Sequence, residues 1–243
     1  MGNVYALVDQ RTLNTSRQPS VFLLGDSIVY GVGGTDAGYR PAMYALGQAG
    51  GTGKKFFWQG TQTGNPGTLA GIDPYHEGHP GFVIQKAADQ PQPPAWGSVT
   101  DSAVAAQPAS WPQVVVIAAG TNDLASDVLN DTPAGAITSM SILLDQVWAA
   151  RQFEWGLQIV VCQVLKRLDS DDTKVQAFNA LLPALIAGKS YASSITLSLM
   201  YDAITRAVVG QGYNDVVHPS DEGYGDMATR MWVALQVALA QCR

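Results

Sequence analysis

Charged residues are scarce in this chain of 243 residues, and cysteine is nearly absent. Asp, Glu, Lys and Arg together make up 14% of the residues, whereas 47% are hydrophobic, a composition typical of a compact globular protein. The 20 acidic residues outnumber the 14 basic ones, which gives a net charge of −6. Because nucleic acids and anionic membranes attract basic surfaces, this charge argues against either as a partner.

The low cysteine count also excludes a disulfide framework. Cys162 and Cys242 allow one disulfide at most, their pairing stays open, and no CxxC motif is present to bind zinc. Cys162 lies in an apolar run and is predicted to be buried. No run approaches 18 apolar residues, so no membrane span is predicted. Residues 1–20 lack the apolar stretch of a signal peptide; a secreted mature form and a cytoplasmic protein both stay open.

Short apolar runs predict the strands of a parallel sheet, at 19–25, 55–60, 113–118, 158–164 and 194–199. Most of these runs are continuous rather than alternating, as expected for strands that are buried on both faces. Helical patterns lie between or after them, at 39–48, 132–151, 172–188 and 220–241. Alternating strands and helices predict a sheet covered by helices on both faces.

One domain is expected over residues 1–243, because no repeat or linker divides the chain. We expect residues 1–18 to be an N-terminal extension and residues 90–112 to be a proline-rich loop. A loop of this length in a compact domain is usually functional or an insertion.

Polar residues follow two of the predicted strands, at the sheet edge where α/β proteins bind ligands. Ser27 follows the first strand in a Gly-Asp-Ser motif, and Asn122 follows the third in a Gly-Thr-Asn-Asp motif. Either motif alone is also typical of a turn or a helix cap. Val29 replaces the second glycine of Gly-x-Ser-x-Gly, so the nucleophile elbow of the α/β-hydrolases is not indicated.

Asp215 precedes His218 by three residues near the C-terminal end of the sequence. A carboxylate at this spacing can reach Nδ1 of the ring within one loop, which would fix the tautomer and leave Nε2 as a base. The alternative is a surface histidine at the start of a helix.

Residues 76–81 read His-Glu-Gly-His-Pro-Gly and are similar to a zinc-binding His-Glu-x-x-His signature. The two histidines are three positions apart instead of four, and Gly78 and Pro80 interrupt the helix that would align them. We therefore predict no metal site here. Gly81 is expected to let the backbone approach a ligand closely.

The order of Ser27, Gly81, Asn122 and His218 resembles the SGNH subgroup of the GDSL esterase/lipase family over roughly residues 21–227. Three further segments are most similar to the acetylxylan esterases of carbohydrate esterase family three: Gly-Tyr-Arg at 38–40, residues 76–81, and Gly-Tyr at 223–224. The chain departs from the family at Val29, where Thr or Ser is common, and in lacking a predicted signal peptide.

The resemblance implies a three-layer α/β/α fold whose five parallel strands have the flavodoxin-like order 2-1-3-4-5. It also implies a serine esterase that needs no cofactor and forms an acyl-enzyme on Ser27. Asp215 and His218 would complete the catalytic triad. The backbone N–H groups of Ser27 and Gly81 and the amide of Asn122 would form the oxyanion hole. On this interpretation, activity should fall in acid as the histidine base gains a proton.

The expected substrate is a short-chain ester, acetyl on carbohydrate, either a small molecule or a polysaccharide. Tyr39, Arg40, Tyr75 and Glu77 are candidate substrate contacts, whereas Asp26 and Asp123 are expected to be structural. Two alternatives stay open: a lipid- or thioester-directed hydrolase of the same family, and a non-catalytic carbohydrate-binding module that keeps the fold. The oligomeric state is also left open.

Overall fold

A computed structural model of the chain describes residues 18–49, 56–65, 74–85, 97–101, 113–151 and 156–242. The predicted N-terminal extension lies outside the described residues, apart from residue 18. The predicted proline-rich loop also lies outside them, apart from residues 97–101.

The strands form one parallel sheet. They are β1 (Ser20–Gly25), β2 (Phe57–Gln59), β3 (Glu77–Gly78), β4 (Val114–Ala118), β5 (Gln158–Cys162) and β6 (Ile195–Ser198). The sheet has the order β2-β1-β4-β5-β6, and β3 also pairs with β1. The five predicted strands thus have the flavodoxin-like order that the family resemblance implied.

The short strand β3 is not predicted from the sequence, because its two residues carry no apolar pattern. β2 pairs with the first half of β1, in the register Ser20↔Phe57, and β3 pairs with the second half, in the register Leu24↔Glu77. The chain therefore returns to β1 and brings the residues after β3 to the carboxyl end of that strand.

Helices cover the sheet and connect its strands. They are α1 (Ser27–Tyr30), α2 (Arg40–Ala49), α3 (Thr121–Leu124), α4 (Pro133–Arg151), α5 (Asp172–Ala187) and α6 (Asp221–Gln241). Two of the long helices begin at side-chain caps: Thr132 Oγ1 accepts the N–H of Gly135 at 3.0 Å, and Ser220 Oγ accepts that of Gly223 at 3.3 Å. The four long helices thus begin and end within one or two residues of the predicted positions.

Two hydrophobic cores lie on opposite faces of the sheet. Along β4, Val114 and Val116 face one core, and Val115 and Ile117 face the other. Residues of α2 and α6 fill the first core, whereas residues of α4 and α5 fill the second. Continuous apolar strands are needed because both faces are covered, and the result is a three-layer α/β/α arrangement.

Gly25 ends β1 at a point where the backbone of β4 comes very close. A Cβ atom at this position would lie 2.0 Å from the carbonyl oxygen of Ala118. Only glycine fits here, and the close approach draws together the two strand ends that precede Ser27 and Asn122.

Candidate active site

Ser27 is the first residue of α1 and is separated from the end of β1 only by Asp26. Asp26 caps this short helix, because its Oδ1 accepts the N–H of Ile28 at 2.9 Å. The backbone N–H of Ser27 is one of the groups that a helix leaves without an acceptor in its own turns. Ser27 is 5% exposed, so the end of a buried strand holds it in a fixed position.

The ring of His218 faces the Ser27 side chain. His218 Nε2 lies 2.9 Å from Ser27 Oγ, and His218 Nδ1 lies 2.8 Å from Asp215 Oδ2. A carboxylate only accepts hydrogen bonds, so we assign the proton to Nδ1. Nε2 is then the acceptor for the serine hydroxyl, and the three side chains form one hydrogen-bonded chain.

The Asp215 carboxylate is itself held by the backbone. Its Oδ1 accepts the N–H groups of Val217 and His218, each at 2.7 Å. Partial burial raises the pKa of the Asp215 carboxyl, but the hydrogen bonds from His218 and Val217 outweigh burial and keep the pKa below its usual value. The carboxylate therefore stays ionised near neutral pH and holds the ring in one tautomer.

The segment 31–35, which follows α1, joins the serine to the histidine loop. Tyr224 in α6 donates its hydroxyl to the carbonyl of Val32 at 2.7 Å. At the start of α6, Asp221 accepts the N–H and the hydroxyl of Thr35 at 2.7 and 2.6 Å. These bonds fix the beginning of α6, and with it the loop that carries His218, against the residues that follow Ser27.

Gly33 packs directly under the histidine. A Cβ atom at Gly33 would lie 2.5 Å from the carbonyl oxygen of Pro219 and 2.9 Å from Cβ of His218. Sequence reasoning missed this role and those of Thr35 and Asp221, and it named Tyr224 only as part of a family resemblance. The glycine-rich run at 31–34 was the available signal, because glycines permit the close approach of another segment.

Gly81 lies in a turn that runs from His79 to Phe82. The Phe82 N–H donates to the carbonyl of His79 at 3.2 Å and closes this turn. Gly81 has a φ of +83°, which favours glycine, and Pro80 precedes it, as in a type II turn. The N–H of His79 donates to the carbonyl of Gly25 at 3.0 Å, so the turn is fixed beside the end of β1.

Asn122 is connected to the same turn. It is the second residue of α3, and its Nδ2 donates to the carbonyl of Phe82 at 2.8 Å. The side-chain amide has a second N–H, which is the group that the predicted oxyanion hole requires. Asn122 is half-buried, so the sheet edge holds the amide in place without closing it off from a ligand.

Two buried carboxyl groups support the loops around the site, as the sequence predicts for Asp26 and Asp123. Both oxygens of Asp123 accept the N–H of Ile84 at 3.1 Å. Burial raises the pKa of Asp26 to about 6 and that of Asp123 to about 7. The hydrogen bonds to Ile28 and Ile84 oppose these shifts and do not cancel them.

Three of the four candidate substrate contacts are buried, so the prediction for them is corrected. Tyr39 and Arg40 are 0% exposed and Glu77 is 2% exposed. A side chain without accessible surface cannot contact a substrate unless the loops above it move. Tyr75 is 45% exposed, and a substrate contact for it stays a prediction.

The buried side chains instead hold the surrounding loops. The guanidinium of Arg40 donates to the carbonyls of Ala37, Asn65 and Pro74, at 3.2, 2.5 and 2.9 Å. Glu77 accepts hydrogen bonds from Thr61 and from His79. These residues shape the segment that leads into the Gly81 turn.

A small apolar cavity lies near the site, but Ser27, Gly81, Asn122 and His218 do not line it. Its volume is about 20 Å³, which is room for about one water molecule. Ile28, the residue after Ser27, and Thr121, the residue before Asn122, both line it. The rest of its wall includes Cys162, Leu165 and Met200.

The histidines at 76 and 79 do not converge on a common point in the manner of metal ligands. His76 Nε2 lies 2.8 Å from the Gly64 carbonyl and its Nδ1 accepts the N–H of Gly78, whereas His79 Nε2 contacts Glu77. Within the described ranges, no group of three or more His, Cys, Asp or Glu side chains is placed to hold a metal ion. In the same ranges no helix combines the length and apolar character needed to cross a bilayer.

Structures of known esterases share this fold. The crystal structure of an acetyl esterase mutant with acetate ion matches with a TM-score of 0.70 and 21% identity, covering 92% of this chain and 99% of that one. A carbohydrate esterase family 3 protein from Talaromyces cellulolyticus matches with a TM-score of 0.71 and 21% identity, with the same coverage. A family 3 carbohydrate esterase from Clostridium thermocellum matches with a TM-score of 0.67 and 23% identity, covering 93% and 100%.

No match was found among curated protein sequences. A model of the GDSL-like lipase/acylhydrolase family matches residues 23–225, which include Ser27, Gly81, Asn122, Asp215 and His218. The match spans most of the chain and contains all five of these residues. The chain therefore belongs to the GDSL-like lipase/acylhydrolase family and is a carboxylic ester hydrolase.

Proposed function

We propose that the protein is a serine esterase that removes short acyl groups, acetyl above all, from carbohydrate. The observation that carries the proposal is the contact of 2.9 Å between Ser27 Oγ and His218 Nε2, with Asp215 behind the ring at 2.8 Å. A serine hydroxyl becomes a nucleophile when an imidazole contacts it and a carboxylate contacts the other side of that imidazole.

In the first half of the reaction, Ser27 Oγ attacks the ester carbonyl carbon. His218 Nε2 takes the hydroxyl proton, and the carbonyl oxygen becomes an oxyanion. When the tetrahedral intermediate collapses, the bond to the leaving alcohol breaks and His218 returns the proton to that alcohol. Asp215 stabilises the imidazolium that exists in between.

In the second half, His218 takes a proton from water, and the resulting hydroxide attacks the acyl-enzyme. The acid leaves, and Ser27 recovers its proton from His218. In both halves, the N–H groups of Ser27 and Gly81 and the Asn122 amide stabilise the oxyanion. One such donor is worth about 10²–10³ in turnover.

Two observations favour a short acyl group on a carbohydrate. The solved structures with the same fold include an acetyl esterase and two family 3 carbohydrate esterases. The segments 38–40, 76–81 and 223–224 are similar to those of the acetylxylan esterases of carbohydrate esterase family three.

The test combines a substrate panel with two serine variants. Purified protein is assayed on nitrophenyl esters from acetyl to decanoyl and on acetylated xylan, with released acetate measured directly. We expect acetyl to be the preferred acyl group and acetate to be released from the polysaccharide. Ser27→Ala should abolish both activities, whereas Ser170→Ala, a change at an exposed serine, should retain them.

A fluorophosphonate that labels wild-type protein and not Ser27→Ala would identify the nucleophile independently of substrate choice. Retained turnover in Ser27→Ala contradicts the nucleophile assignment. Preference for decanoyl over acetyl contradicts the proposed substrate class and leaves the mechanism in place.

A further inference from the structure

Glu77 and His79 form a second pair of carboxylate and imidazole, distinct from Asp215 and His218. Glu77 Oε1 lies 2.6 Å from His79 Nε2. The same carboxylate accepts the N–H of Thr61 at 2.7 Å and its hydroxyl at 2.9 Å. Burial raises the pKa of Glu77, but the hydrogen bonds from His79 and Thr61 outweigh it and keep the pKa below its usual value.

The pair fixes the first residue of the turn that contains Gly81. The rings of His79 and Phe82 stack with centroids 4.4 Å apart and planes 10° apart. The Glu77 carboxylate thus holds one edge of the His79 ring while Phe82 holds one face. His79 and Phe82 are the two ends of the turn. We call this arrangement the clamp, because the stacked rings hold the two ends together in addition to the backbone hydrogen bond from the Phe82 N–H to the His79 carbonyl.

The clamp extends to Asn122. The carbonyl of Phe82, the last residue of the turn, accepts a hydrogen bond from Nδ2 of Asn122 at 2.8 Å. The position of the Asn122 amide therefore depends on the position of the turn. Two of the three proposed oxyanion donors, Gly81 and Asn122, are therefore connected to the ring stack. The side chain that orients this stack is Glu77, which is 2% exposed and fixed to Thr61.

We propose that Glu77 and His79 are positioning residues that hold the turn from 79 to 82, so that the Gly81 N–H and the Asn122 amide converge on the oxyanion. The inference rests on the proposed serine esterase function. His79 is not the base in it, because the imidazole that contacts Ser27 Oγ is that of His218.

The expected effect is on the transition state rather than on substrate binding. Oxyanion donors act when the carbonyl oxygen becomes charged and moves, so displaced donors lower kcat and leave KM nearly unchanged. A displacement of about 1 Å is sufficient to lower a rate by about 10²-fold.

Two variants separate the hydrogen bond from the stack. His79→Phe keeps a ring against Phe82 and removes the bond to Glu77, and Glu77→Gln keeps an acceptor and removes the charge. The measurement is kcat per active site on nitrophenyl acetate, with sites counted by fluorophosphonate titration. We expect His79→Phe to lower kcat per site by about 10–100-fold with KM within about twofold of wild type, and Glu77→Gln to have a smaller effect.

Inhibition by methylboronic acid provides a readout that needs no turnover. Methylboronic acid forms a tetrahedral adduct with Ser27, and one oxygen of that adduct faces the same donors. In each variant the inhibition constant of methylboronic acid should therefore rise in parallel with the loss of kcat/KM. Asp145→Asn is the control variant. It removes a carboxylate that contacts Lys189 at 2.8 Å and Tyr191 at 2.7 Å. Lys189 and Tyr191 precede the amino end of β6, at the edge of the sheet opposite Ser27. Its kcat per site and boronate inhibition should match wild type.

A merely structural role would reduce the number of titratable sites and leave kcat per site and boronate inhibition unchanged, and that result overturns the inference. Because kcat is counted per labelled site, a variant that folds poorly still gives a decisive value. Failure of the proposed function is recognised separately, because wild-type protein would then lack esterase activity or Ser27→Ala would retain it. Either result would overturn this inference as well.

Discussion

The amide group of Asn122 has an observed structural contact and a proposed chemical role. One N–H holds the Phe82 carbonyl at 2.8 Å, and the oxyanion hole requires the other. The sequence identified Asn122 by its place after a strand, yet it did not indicate the bond to Phe82, because the two residues are 40 positions apart. Such contacts depend on how the loops meet rather than on local pattern.

Replacing Asn122 by alanine should lower kcat by about 10²–10³ and change KM little, because the missing donor acts in the transition state. Steady-state kinetics on nitrophenyl acetate provide the measurement. The control is Asn130→Gly, which removes an amide from the loop that follows α3, at a residue with φ of +52°, where glycine introduces no strain. A kcat for Asn122→Ala within twofold of the control would exclude Asn122 from the oxyanion hole.

At the scale of elements, the segment 31–35 aligns α1 with the loop before α6. Gly33→Ala should push a methyl group towards Cβ of His218 and Pro219 O, which lie 2.9 and 2.5 Å from the new atom. We expect kcat to fall by about 10–100-fold, because displacement of the base misaligns it with Ser27.

Gly210→Ala is a closely matched control for this change. Gly210 has a φ of +81°, near the +91° of Gly33, but no atom lies within 4 Å of its added Cβ. Both variants carry the backbone strain of an alanine at positive φ, about 1–2 kcal/mol. Only Gly33→Ala should lose kcat, and equal kinetics in the two variants would show that contact with the histidine loop has no effect on catalysis.

Arg40 joins the segment between α1 and α2 to the connection between β2 and β3 through its buried guanidinium, and it is a second test at this scale. Arg40→Met should leave the carbonyls of Ala37, Asn65 and Pro74 without this donor and lower the free energy of unfolding by about 3 kcal/mol or more. Denaturant unfolding measures the loss. Arg206→Met, at a side chain that is 63% exposed, should change stability by less than about 1 kcal/mol. Equal stability of the two variants would contradict a structural role for Arg40.

The elements that could be predicted from the sequence are those with long patterns. Four long helices and five strands follow from apolar periodicity and from caps such as Thr132 and Ser220. β3 could not be predicted, because its two residues become a strand only by pairing with Leu24 and Gly25. α1 and α3 are single turns of helix, which local sequence does not distinguish from a loop.

At the scale of the whole molecule, buried carboxyl groups make stability depend on pH. Burial raises the pKa of Asp123 to about 7, so between pH 4 and 7 the folded chain retains a proton that the unfolded chain has lost. The contribution of Asp123 to the free energy of unfolding therefore falls as the pH rises through this range. Asp26, with a pKa of about 6, acts in the same direction.

Asp123→Asn removes this titration and keeps an acceptor for the Ile84 N–H. The melting temperature of the variant minus that of wild type should increase from pH 4 to pH 8, by at least about 3 °C, which is about 1 kcal/mol for a chain of this size. Thermal unfolding in a series of buffers measures the difference. A difference that stays flat or falls over this range would show that Asp123 is ionised in the folded protein throughout.

The serine and the histidine that meet at 2.9 Å are 191 positions apart in the chain. A ribosome that adds about 5–20 residues per second needs roughly 10–40 s to pass from one to the other. By the end of that interval every described strand of the sheet and the proposed nucleophile have been synthesised, but the proposed proton acceptor has not. On the proposed mechanism, hydrolysis begins only when position 218 has left the exit tunnel and docked, and a message broken upstream of that codon yields an inert product.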